Sequence, residues 1–300
     1  MILFKYRQDN PNAEKIITEG KVWLSRPAQL NDPLECGIAP VAASLRSSFR
    51  SQSRKTAIDS LVVSVSNCAR RLDAYHGLSA KDAKRWLFQF KRLTLQKQQF
   101  AAVVAFYKDR RISPPPDPDA FFDEVECQLK NVGILSLSET AENQPMWAHY
   151  ADNHAGLAFG FEKTEASMLG NGDHTFPVTY TDAKPVMTTV FPSQWSFSFT
   201  QDARITASQR LAFTDPFFRA AISTKTTEWA YEREWRYVEE SHGLYPWPGN
   251  LREIIFGMKM PPIRRSYYRH LVSQHVRSPV KLFEIRPSSD NAKLQKVPLS

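Results

Sequence analysis

No stretch of the 300 residues approaches the ~20 consecutive apolar residues that a bilayer-spanning helix needs, so a membrane partner is not expected. Cysteine is scarce. Cys36, Cys68 and Cys127 are odd in number, widely spaced and include no CxxC pair. Neither a disulfide framework nor a thiolate zinc site is expected, and all three read as buried thiols. There is no GxSxG elbow for a nucleophilic serine. GxGxxG and P-loop glycine patterns are also missing, which argues against Rossmann and P-loop nucleotide sites. His149 and His154 stand five apart; a zinc-binding helix needs i,i+4 to bring two imidazoles to one face. No metal is therefore assigned. The opening MILFKYRQDN has none of the marks of a secretion signal, and cytoplasmic residence is the expectation. No internal repeat is visible.

What is present is a core-forming composition, 42% hydrophobic and 12% aromatic, outside the disordered range. The net charge of +8 is concentrated in one place. Residues 42–111 hold fifteen Lys/Arg against four Asp/Glu, a net of +11, and the rest of the chain sums to −3. Such a segment attracts acidic partners, nucleic acid above all.

The pattern along the chain alternates strand and helix signals. Strands are expected at 2–7 and 21–25, with a helix at about 12–19 closed by Gly20. RPAQLNDPLE reads as loop. Residues 42–111 read as helical: Phe100, Val103, Val104 and Tyr107 keep the i, i+3, i+4, i+7 spacing. ISPPPDPD is an extended break, followed by a short acidic helix at 119–129. Further strands are expected at 133–138, 156–161, 176–180, 235–238, 254–258 and 280–285, and helices at 202–223 and 262–275. The result is an α+β body, residues 1–41 and 112–300 as a single domain, with a basic helical insertion at 42–111.

Four polar clusters punctuate the body. Lys5-Tyr6-Arg7 ends the first strand, where an arginine is placed to clamp a phosphate. Asn31, Asp32 and Glu35 shape a turn after the second strand. Ser136 and Ser138 in GILSLS point to one face, within reach of a ligand amide. MWAHYADNHAGLAFGF (146–161) stands behind them, an expected short helix and turn entering a strand. In the fourth, WAYEREWR, a strand would set Glu232 and Glu234 on one face, where mutual repulsion raises one pKa. The plainer reading of this cluster is a salt-bridged strand anchored by Trp229 and Trp235. Asp32, Glu35, His149 and Asp152 supply the ligand types of a hydrolytic metal set, and no spacing demands one.

Taken together, FKYR, LSRPAQLNDPLE, GILSLSE, MWAHYADNHAGLAFGF, EWAYEREWR and REIIFGMKM resemble, in order, a large bacterial family catalogued as a domain of unknown function. Its members often occur near phage-defence and abortive-infection genes. Leu34 departs from the family's usual Phe. More distantly, the order resembles the ADP-ribosyltransferase fold, with a mixed-sheet body. That resemblance implies NAD as substrate. It casts Arg7, Ser136 and Ser138 as NAD-binding residues, Trp147 and Tyr150 as stacking groups, and His149 as a base or ribose contact. Glu234, seconded by Glu232, becomes the carboxylate that stabilises an oxocarbenium-like state. It further implies an effector in a defence or toxin system acting on nucleic acid or on a protein partner. The competing expectations are a nucleic-acid-binding protein or metal-dependent nuclease that uses residues 42–111, and a non-catalytic sensor.

Overall fold

The computed structural model describes residues 1–188, 194–199, 205–290 and 293–299. The elements run β1 (Ile2–Arg7), α1 (Pro11–Thr18), β2 (Lys21–Leu24), a 3-10 turn (Pro27–Gln29), α2 (Ala43–Ala69), α3 (Ala80–Phe90), α4 (Gln96–Asp109) and α5 (Ala120–Asn131). Then follow β3 (Gly133–Ser138), α6 (Gln144–Tyr150), β4 (Leu157–Glu162), β5 (Thr175–Pro177), β6 (Thr179–Tyr180), β7 (Gln194–Phe199), β8 (Ile205–Arg210) and α7 (Pro216–Ser223). The chain closes with β9 (Thr224–Lys225), a 3-10 turn (Thr227–Glu232), β10 (Glu234–Glu239), β11 (Gly243–Pro246), β12 (Asn250–Phe256), α8 (Pro262–His275), β13 (Lys281–Pro287) and β14 (Leu294–Pro298).

Two compact units result: Met1–Ile38, Gln128–Pro185 and Pro216–Ser300 form one, Ala39–Cys127 and Val186–Asp215 the other. The first is an α+β unit around an eight-stranded mixed sheet of order β14-β13-β12-β4-β1-β3-β10-β5. Only β12 and β13 run parallel within that sheet. Strands β3 and β4 are almost wholly buried, as apolar strands central to a covered sheet must be. Period-two alternation sorts β1: Leu3 joins the core under α1 and α8 with Ile16, Ile17, Tyr268 and Leu271, while Phe4 and Tyr6 join the opposite core with Met146 and Trp147 of α6. Asn10 starts α1 by accepting from the backbone N–H of Asn12 and Ala13. Gly20 follows its end at φ +65°.

In the second unit, α2, α3 and α4 close on Leu61, Val65, Ala83, Val103 and Phe106. Part of its positive charge is met inside the unit. Arg50 Nη2 lies 2.7 Å from Asp119, and the Arg46 guanidinium covers the Phe122 ring at 4.5 Å. Strands β7 and β8 pair antiparallel.

Several expectations change. The helix expected at 202–223 is only Pro216–Ser223, preceded by β8. Proline disfavours helical geometry in the residue before it and suits the first helical position, so Pro216 starts the helix. Residues 202–204 of that expectation lie outside the described residues. The strand expected at 176–180 divides at Pro177, which has no N–H to donate: β5 pairs with β10, and β6 with β9. Strands β11 and β14 were not expected. Of the three cysteines only Cys68 is buried; Cys36 is half-buried and Cys127 exposed. No helix of the described residues is long and apolar enough to cross a membrane.

Candidate active site

A break in the sheet builds the site. β1 pairs with β3 at one position, Phe4 opposite Ser138. Past that pair the ladder stops, and Ser25 takes the backbone of Ile134 instead. The split leaves main-chain groups that need partners; one is the Ser136 carbonyl, which accepts from Lys5 Nζ at 3.0 Å. A cavity of about 260 Å³ occupies the split, lined by Lys5, Arg7, Ser136, Tyr150, Glu232 and Glu234 among others. Asn31 and Lys225 also face it.

One wall is a buried ion cluster. Lys225 Nζ stands 2.6 Å from Glu232, 2.8 Å from Glu35 and 3.4 Å from Glu234. Arg236 Nε donates to Glu234 at 2.9 Å, and Arg236 Nη2 donates to Glu35. All five side chains are no more than 4% exposed. Three carboxylates against two cations would be costly to bury unless closely paired, and here each is. Glu232 is further held by Tyr150, whose hydroxyl donates to Oε1 at 2.6 Å. Asn31 Nδ2 donates to that same hydroxyl at 2.7 Å. The Ser138 hydroxyl donates to the Glu232 carbonyl at 2.7 Å.

The two cavity carboxylates titrate apart. Burial would raise Glu234, but Arg236 and Lys225 outweigh it and hold Glu234 at about 2. For Glu232 burial wins over Lys225 and Tyr150, and its pKa stands above the ordinary range. Burial and the bond to Glu232 raise Tyr150, keeping it a proton donor.

The opposite wall is cationic. Burial and the nearby Arg7 bring Lys5 down to about 7. Arg7 is also lowered by burial, and its buried Nε has no hydrogen-bond partner. No carboxylate among the described residues pairs with either. The ADNHAG turn fixes the end of β1 that carries Arg7. Asp152, Asn153 and His154 adopt φ of 49°, 48° and 71°, sparsely populated for side-chain-bearing residues. A Cβ at Gly156 would lie 2.2 Å from the Arg7 carbonyl, so glycine lets the turn lie against the strand.

Some expected site residues stand elsewhere. Glu232 and Glu234 do not share a strand face: Glu232 ends a 3-10 turn and Arg233 is left-handed at φ 46°. That kink, with Lys225 between them, is what brings both carboxylates to the cavity. Trp147 is fully buried, edge-on to Tyr6 at 5.2 Å, and its Nε1 donates to the Ala141 carbonyl; it cannot stack on a ligand. Ser138 is also fully buried and positions Glu232 rather than facing the cavity. His149 is exposed beside Tyr150, outside the cavity lining. Asp32 caps its own turn by accepting from Leu34 N–H at 2.8 Å. Glu35, expected to shape that turn, belongs to the ion cluster. Asp32, Glu35, His149 and Asp152 do not gather, and no group suited to a metal occurs among the described residues. Arg236 was expected only as part of a salt-bridged strand, and it does pair with Glu234; Lys225 was not expected and left no signal in the sequence.

Residues 146–237 match a family described as "Protein of unknown function (DUF2971)". The matched segment runs from α6 to the middle of β10 and so carries Tyr150, Lys225, Glu232 and Glu234 of the cavity lining, with Arg236 paired to Glu234. No curated protein and no solved structure matches the chain.

Proposed function

We propose that the cavity binds NAD and that the protein is an NAD-consuming ADP-ribosyltransferase or NAD glycohydrolase with an ADP-ribosyltransferase-like body. One observation carries this reading: a single cavity sets two cations without carboxylate partners, Lys5 and Arg7, across from two carboxylates whose pKa values are driven apart. Unpaired cations suit a pyrophosphate. Carboxylates with separated pKa values suit a division between a permanent anion and a proton carrier. In this reading the bond from ribose C1′ to the nicotinamide nitrogen breaks, and its electron pair leaves with nicotinamide. Glu234, ionised throughout the physiological range, faces the positive charge that develops on the sugar. An acceptor hydroxyl or water forms the new bond to C1′ and gives its proton to Glu232, which Tyr150 orients. Ser136 lies between the two walls, in reach of the ligand's polar groups.

Purified protein incubated with NAD should release nicotinamide, detected chromatographically, and Glu232→Gln and Glu234→Gln should each lower the release at least about a hundredfold. No release from the unaltered protein, alone and with oligonucleotide or protein acceptors, sinks the proposal. The family resemblance supports a defence or toxin effector acting on nucleic acid or protein. The net charge of +11 over residues 42–111 favours nucleic acid as a binding partner. Oligonucleotide affinity that does not change between low and high salt would remove that second reading.

A further inference from the structure

Arg7 is a wall shared by two cavities. Beyond it, away from the ion cluster, lies a second cavity of about 400 Å³, lined by Arg7, Lys15, Glu19, Lys21, Trp23 and Leu244 among others. Its floor follows from strand alternation. In β2 the pattern exposed, buried, exposed, buried puts Val22 and Leu24 in the core and leaves Lys21 and Trp23 outside. β11 pairs beside it with Leu244 directly opposite Trp23. Trp23 is 40% exposed and Leu244 53%, two large apolar side chains adjacent at the surface. Lys15 on α1 and Glu19 at its C-cap, four residues on, supply another side of the cavity.

The composition is that of a stacking platform ringed by cations. Lys15, Lys21 and Arg7 outnumber the one carboxylate, Glu19, and the buried Nε of Arg7 has no partner. The volume falls within the ~300–1,000 Å³ usual for small-molecule sites. A flat apolar ring beside positive charge selects an aromatic ring joined to an anion.

We propose that this second cavity is a nucleobase subsite: Trp23 stacks on the base of a purine nucleotide, whose phosphates lie toward Arg7 with Lys15 and Lys21. Arg7 then joins the subsite to the split in the sheet, and one dinucleotide spans both. The spanning rests on the NAD reading above; the base subsite does not.

The test is calorimetric titration of the full chain with ADP and with inorganic pyrophosphate at pH 7. Trp23→Ala should weaken ADP about tenfold, the effect of losing one stacked base. Trp23→Phe should restore most of the affinity, and pyrophosphate binding should not respond to either change. Lys21→Ala should weaken both probes. The proposal is overturned if the unaltered protein fails to bind ADP, or if Trp23→Ala leaves ADP affinity within twofold. The same proteins assayed for nicotinamide release separate the two ideas. Trp23-dependent ADP binding without NAD cleavage keeps the subsite and discards the reaction. NAD cleavage whose KM ignores Trp23→Ala keeps the reaction and overturns the claim that one dinucleotide spans both cavities.

Discussion

Replacing Lys225 with methionine, which has similar length and no charge, should be among the most damaging single changes in the sheet-containing unit. Lys225 serves Glu35, Glu232 and Glu234 at 2.6 to 3.4 Å, and all four side chains are buried. The cluster of three carboxylates, Lys225 and Arg236 carries one net negative charge; without Lys225 it carries two. Removing one partner of a buried ion pair costs about 3–5 kcal/mol, because the remaining charge is left without compensation. That is a large share of the about 5–15 kcal/mol by which a domain is stable. The loss should depend on pH in a defined direction. Without Lys225, burial raises the folded-state pKa of the stranded carboxylates above the unfolded value. The folded variant then binds protons that the unfolded chain does not, and its stability falls as pH rises through the shifted pKa. In the unaltered protein Glu234 is held at about 2, so its stabilisation is already complete at pH 5 and stays level to pH 8. The deficit of Lys225→Met should therefore be largest at pH 8 and shrink at pH 5. Urea unfolding followed by circular dichroism at both values measures it. Adding Glu232→Gln to Lys225→Met should recover part of the loss by removing one stranded charge. A deficit below about 1 kcal/mol at pH 8, or one equal at both pH values, would refute the view of this cluster as mutually dependent buried charges.

The remaining predictions concern the cavity and the turn beneath it. Glu232→Gln should lower kcat for nicotinamide release by about 10²–10⁴-fold, the usual range for losing a general base, assayed below the variant's thermal midpoint; an unchanged kcat rejects Glu232 as the proton carrier. Lys5 has a pKa of about 7 and is cationic only below it. Affinity of the Glu232→Gln variant for NAD, whose phosphates stay ionised in this range, should therefore fall as pH rises from 6 to 8. Lys5→Met should bind more weakly with no such slope, and a slope that persists in Lys5→Met excludes Lys5 as its source. Gly156→Ala should destabilise by about 1–3 kcal/mol, since its Cβ would sit 2.2 Å from the backbone carbonyl of Arg7; a thermal midpoint equal to that of the unaltered protein would show that the turn can move aside.

Local pattern reached far into this fold where one physical cause dominates. GILSLS is a buried apolar strand wherever it is placed, and its bounds at 133–138 match β3. Proline and the apolar spacing of residues 262–275 define α8. Local pattern misled at Ile205–Arg210, where the pairing partner β7 decides the conformation. It misled again at Glu232 and Glu234, where the alternation rule assumed one continuous strand. In the cavity, Arg7, Asn31, Ser136, Tyr150, Glu232 and Glu234 each stand in a segment that the sequence sets apart by its polar pattern. Trp147 drew attention for the same reason, yet its indole fills the core.

The sequence alone determined most of the elements, their apolar stripes, the localisation of positive charge in residues 42–111 and the set of polar segments from which a site can be drawn. These follow from side-chain periodicity and composition, which act over a few residues. Only the tertiary structure decided that β1 and β3 part after Phe4 and Ser138, that Lys225 stands among three glutamates, and that Lys5 and Arg7 face them without carboxylate partners. Those facts depend on burial and on Coulomb interactions between residues as far apart in the chain as Glu35 and Arg236, and such interactions leave no mark on the local pattern of either segment.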